Sequence, residues 1–160
     1  MRSCGNPKKI AFWAVAISLS LMLAGWGQPA MGFSKKALLK TNNEGPVEVA
    51  VTYLNPLSKE PSRELSFEVR MSTHSVNLDD YEMEKISFLQ IDRGPKRKAL
   101  GWFDQSGGGH HVSGILKFTG PIPSSAKSLQ LIIREVGDVG ERAFEWNLPL
   151  EQKKGIKCLF

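Results

Sequence analysis

Cysteine is almost missing from this chain: Cys4 and Cys158 are the only two. Cys4 lies in a segment that export would remove, so a mature chain would keep Cys158 alone. That rules out an intrachain disulfide and leaves only pairing between chains. A domain of this length without a disulfide is held by its core. Acid is missing from the front, where the first carboxylate is Glu44. Catalytic signatures are missing too. There is no Gly-x-Ser-x-Gly elbow, no histidine near Cys158 in sequence, and no Gly-Lys-Ser/Thr after the glycine run. His-Glu-x-x-His is absent, and Asp79, Asp80, Glu82 and Glu84 lack the EF-hand spacing and glycine. These absences argue against an enzyme. No long amphipathic helix and no internal repeat is found either.

What stands at the front has three parts. Arg2, Lys8 and Lys9 form a basic head, residues 10–24 an uncharged apolar run, and residues 25–32 a small-residue stretch with one proline. That order is a secretory signal peptide. The apolar run is shorter than the roughly 20 residues that span a bilayer comfortably. Cleavage after Gly32 puts Ala30 and Gly32 where small residues are required, and cleavage after Gly27 is the second choice. Trp26 stands where a lipoprotein signal would need its cysteine, so a lipid anchor is not expected. The expected destination is the periplasm or the medium. The alternative is an uncleaved inner-membrane anchor, the one case in which the protein would meet the membrane.

Removal of the head changes the charge argument. The whole chain carries 21 Lys plus Arg against 16 acids. Without Arg2, Lys8 and Lys9 the basic count is 18 and the net charge +2. A nucleic-acid partner is therefore not expected.

The expected organisation is a signal peptide over 1–32, a flexible lead-in over 33–46, a β-domain over 47–149 and a charged tail over 150–160. The period is two across most of the β-domain. Val47, Val49, Val51 and Tyr53 alternate with Glu48, Ala50 and Thr52, and Leu65, Phe67, Val69 and Met71 with Ser66, Glu68 and Arg70. A helical turn is expected near 79–85. A strand over 86–91 then turns at Asp92-Arg93-Gly94-Pro95 into a hairpin partner over 98–103. Strands follow over 112–118, 129–134 and 143–148, with Phe144 and Trp146 pointing to the core. About seven short strands at this spacing predict an all-β, two-sheet antiparallel sandwich of immunoglobulin-like type, with a small closed barrel as second choice. The Cys…Trp…Cys pattern of antibody domains is absent.

All three histidines fall in two short segments. His74 follows the cleanest strand, and His110 and His111 follow Gly107-Gly108-Gly109. Imidazole is a common ligand for copper and zinc. In a two-sheet fold the two segments can meet at one end. The candidate metal set is His74, His110, His111 and Asp80, with Asp79 or Asp104 as other oxygen donors. Adjacent side chains in a strand point to opposite faces, so His110 and His111 share an ion only if the backbone bends. His110 has the inward phase of Val112 and Leu116, as a hydrogen-bonded cap on the core would. His111 has the outward phase, and His74 continues the wet face of Glu68 and Arg70. The competing reading is structural or surface histidines. Trp102-Phe103 and Phe144-x-Trp146 are either a contact platform or core, and core is expected for the second pair. Met71, a possible soft copper ligand, shares the core phase.

Thr73-His74-Ser75-Val76-Asn77-Leu78 and Gly108-Gly109-His110-His111-Val112-Ser113-Gly114-Ile115-Leu116 resemble segments of small exported bacterial proteins of unassigned function. In those, a Thr-His-Ser and a Gly-Gly-His-His segment recur on an immunoglobulin-like domain. The resemblance spans residues 47–148. It implies that the two histidine segments belong together, and it implies no activity. Asn77 stands where that pattern has an aspartate, which weakens an oxygen ligand there.

The expected function is thus an exported, non-catalytic binding module, with copper or zinc as candidate cofactor. The alternative is a metal-free structural or interaction domain with a protein partner in the cell envelope.

Overall fold

The computed structural model describes residues 32–59 and 62–150. The signal segment, all but Gly32, and the tail beyond Leu150 lie outside the described residues, and both cysteines lie there with them. Nine strands run through the described residues: β1 Leu39–Asn42, β2 Val47–Tyr53, β3 Glu64–Thr73, β4 Ser87–Ile91, β5 Arg97–Lys98, β6 Gly101–Gly108, β7 His111–Thr119, β8 Ser128–Val136 and β9 Val139–Asn147. Two single-turn helices, α1 Lys35–Leu38 and α2 Met83–Ile86, precede β1 and β4. Every pairing is antiparallel. One sheet has the order β1-β2-β3-β7-β6 and the other β5-β4-β8-β9. No ladder joins the two sheets among the described residues, so the closed barrel is not formed. No described helix is long and apolar enough to cross a membrane.

Alternation places one face of each sheet on a shared core. Phe67 of β3 is at its centre. Its ring lies 5.0 Å from Tyr53, 5.8 Å from Phe118 and 5.5 Å from Trp146. Trp146 belongs to β9, so Phe67 couples the two sheets. Phe144 and Met71 are buried in the same cluster. Burial pushes the Tyr53 phenol up to about 12.

Two expectations need correction. Part of the lead-in expected to be flexible is structured. Ser34 caps α1 by accepting from the Ala37 N–H, Leu38 is buried, and the Trp146 indole N–H donates to the Leu38 carbonyl at 2.9 Å. β1 then pairs with β2. The hairpin partner of β4 is also only two residues long. At Leu100, whose N–H donates to the Lys117 carbonyl, the chain crosses to the other sheet and continues as β6.

Arg142 shares the inward phase of Phe144 and Trp146 and is buried. Its guanidinium donates to the Asn42 side-chain oxygen and to the Val136 carbonyl, tying β1 to the β8–β9 hairpin. Burial lowers its pKa, and the nearby Glu44 and Tyr81 oppose that shift.

Candidate functional site

The histidine segments meet because β3 and β7 are neighbours: Ser72 pairs with His111 at the end of the ladder. Just beyond, the Thr73 N–H donates to the His110 carbonyl at 3.0 Å. Thr73 is itself buried. Its hydroxyl donates to the Pro46 carbonyl at 2.8 Å and accepts from the Ser75 N–H, which turns the chain at His74. Leu78 plugs into the core, and its N–H donates to the Gly109 carbonyl at 2.8 Å. The Gly109 N–H donates to the Asp79 carboxylate at 3.0 Å. The loop after β3 and the β6–β7 hairpin therefore form one bonded unit.

The glycines serve the hairpin rather than a long loop. Gly108 pairs with His111, leaving Gly109 and His110 as the two-residue turn. Gly109 has φ +60°, the sign that the first central residue of a II′ hairpin turn requires. Gly107 has φ +88°, and a Cβ there would stand 2.1 Å from the His111 carbonyl oxygen.

His110, expected as an inward cap, is exposed at this turn. The strand stops at Gly108 and restarts at His111, so the alternation does not run through it. His111 is exposed on the outward side of β7, as its phase predicted. It lines an open depression of about 260 Å³ together with His74. Asn43, Gly45, Pro46 and Glu48 form part of the wall, and His110 is not among the lining residues. Of the three candidate histidines, His74 and His111 thus line one depression and His110 stands outside it. Neither Glu48 nor Asn43 was a candidate, because the β2–β3 register had to be known before Glu48 could be set beside Ser72.

Two of the candidate acids at this end already have partners. Asp79 holds Gly109, and Asp80 accepts from the Asn77 amide at 3.2 Å. Asp104 is in the bulge of β6 with φ +50°. Among the described residues no group of three or more His, Cys, Asp or Glu is gathered to hold a metal.

A second concavity lies beside the first on the outer face of the five-stranded sheet. It measures about 500 Å³ and shares Glu48, Ser72 and His111 with the depression. Across the strands, Thr41 pairs with Ala50, Ala50 with Arg70, Arg70 with Ser113, and Ser113 with Ser106. This row of short side chains leaves a trough with one long residue, Arg70, in the middle.

No family model matches the chain, and no curated protein or solved structure matches it significantly.

Proposed function

We propose that the chain is an exported, non-catalytic binding module on an immunoglobulin-like β-sandwich, with its contact surface at the end that carries the histidines. One observation carries the reading: two loops distant in sequence are fastened to each other by backbone bonds and by Asp79, while all three imidazoles stay exposed. A bonded scaffold under unengaged polar side chains suits recognition, since the loops are held in place before a ligand arrives. The strand orders β2-β3-β7-β6 and β5-β4-β8-β9 support the immunoglobulin-like assignment, since they follow the ABED and CFG pattern with β1 and β5 as additions. The basic head and short apolar run support export.

Copper or zinc held by His74 and His111 is the first ligand to test. Metal bound to the native state must raise its apparent stability. We expect copper or zinc in excess to raise the melting temperature, and His74→Ala or His111→Ala alone to abolish the rise. Because either loss disables a two-ligand site, the double variant should add little. A melting temperature unmoved by both metals would overturn the metal reading. A second reading, a metal-free interaction domain of the envelope, is favoured by the commitment of Asp79 and Asp80 to structural hydrogen bonds.

A further inference from the structure

We propose that the trough on the outer face of the five-stranded sheet binds a small hydroxylated monocarboxylate, about the size of a sugar acid, with Arg70 as its anchor. The proposal rests on reading the domain as a binding module but not on the metal. Arg70 has half of its side chain exposed, and among the described residues its one carboxylate neighbour is Glu68 Oε2 at 3.6 Å. That oxygen is already held by Lys35 Nζ at 2.9 Å. A guanidinium has five N–H donors in a planar fork that matches a carboxylate with two parallel bonds. Most of that capacity is unused here.

The surroundings narrow the ligand further. Thr41, Ser72, Ser106 and Ser113 line the trough, and their hydroxyls take no partner among the described residues. Hydroxyls that donate and accept suit a polyhydroxylated body. Glu48 stands in the next row, beside Ser72, which is beside His111. A carboxylate accepts from ligand hydroxyls but repels a second negative group. The trough is thus polarised, with a cation at its centre and an acceptor toward the histidine end, and this favours one negative charge over two. The volume of about 500 Å³ falls inside the roughly 300–1,000 Å³ of small-molecule sites. Among the described residues no Phe, Tyr or Trp lines it, so a stacked sugar platform is not part of the proposal.

Titration calorimetry of the full chain with glucuronate, and with glucose as the uncharged control, tests this. We expect saturable binding of glucuronate in the range of ~1 mM, as suits a small polar ligand in an open trough, and at least tenfold weaker binding of glucose. Arg70→Ala should lose glucuronate binding by about tenfold or more, and Arg70→Lys should recover part of it by keeping the charge without the fork. Ser113→Leu should also weaken binding, by filling the trough while leaving Arg70 in place. Melting curves of each variant check that it is folded. Glucose binding as well as glucuronate, an Arg70→Ala affinity equal to wild type, or no saturable glucuronate binding would each overturn the proposal. Copper and zinc melts on the same samples separate the two sites. Glucuronate binding without a metal shift keeps the trough and removes the metal, and a metal shift without glucuronate binding does the reverse.

Discussion

The two sheets share a core, but their outer faces are finished differently. On the four-stranded sheet, Phe88 pairs with Ile132 and Ile132 with Ala143, and the Arg134 guanidinium lies 5.0 Å from the centre of the Phe88 ring. Glu141 accepts from both Lys96 and Arg134 at 3.1 Å. Ile132 points outward yet is only 1% exposed. On the five-stranded sheet the equivalent middle row is threonine, alanine, arginine, serine and serine, and it stays open. The same backbone alternation produces both faces, so side-chain length decides whether a wet face closes over itself. A closed face adds to stability, and an open one leaves room for a ligand.

The largest expected effect removes the ground under both faces. Phe67→Ala should destabilise the domain by about 3–5 kcal/mol, the range for deleting a large aromatic from a packed core. Because Phe67 touches Trp146 of the opposite sheet, probes on the two sheets should lose structure in one transition. A loss well under 1 kcal/mol in denaturant midpoints, or two separate transitions, would break the picture of a shared core. Next comes the contrast between the faces. Ile132→Ala should cost about 2 kcal/mol or more, because an outward residue is buried there by its neighbours. Ser113→Ala in the open row should stay within about 0.5 kcal/mol. Equal costs at the two positions would erase the distinction drawn between the faces.

Much of this was legible from the residues alone, because burial on one side of a strand leaves a period of two. β2, β3, β7 and β9 carry that signal strongly. β1 does not: Leu39-Lys40-Thr41-Asn42 is short and mostly polar, and its place is fixed by pairing with β2 and by the Trp146 bond to Leu38. The crossing at Leu100 has no periodic signature, since β5 and β6 read as one strand. Arg142 shares the phase of Phe144 and Trp146, so its burial was open to inference, although charge argued against it. The meeting of the histidine segments followed from topology. The choice of His111 over His110 depended on where the hairpin turns, which Gly109 decides. The Arg70 row needed the register of four ladders, and no single strand contains it.

Gly114→Ala, on the core side of β7, is expected to tell the two sheets apart at a smaller energy. A Cβ at Gly114 would stand 2.6 Å from Trp102 Cζ2 and 2.7 Å from Cε2. The indole of β6 lies on the bare backbone of β7 and presses the edge strand to its sheet. Displacing it should cost about 1–3 kcal/mol, as overpacking does. The loosening should fall on β6, which has a single paired neighbour. Hydrogen exchange should therefore accelerate at β6 amides while β8 and β9 stay protected, and uniform acceleration in both sheets would contradict this.

The smallest effect concerns the charges that close the four-stranded face. The Glu141 carboxyl is held below its ordinary pKa, first by the hydrogen bond from Lys96 and then by the one from Arg134, while burial pushes the other way. A carboxylate with a lowered folded pKa adds stability above the ordinary glutamate range. That stability is lost as pH falls through the lowered value. The Glu141 side chain is 44% exposed, so solvent and salt screen the interaction. The expected contribution is only a few tenths of a kcal/mol. Glu141→Gln should therefore be slightly less stable than wild type at neutral pH and equal to it in acid below the lowered pKa. In about 1 M salt, where the screening length is about 3 Å, the neutral-pH gap should shrink. A gap that persists unchanged across pH and salt would mean that Glu141 covers Ile132 by packing, and that the closed face owes nothing to its ion pairs.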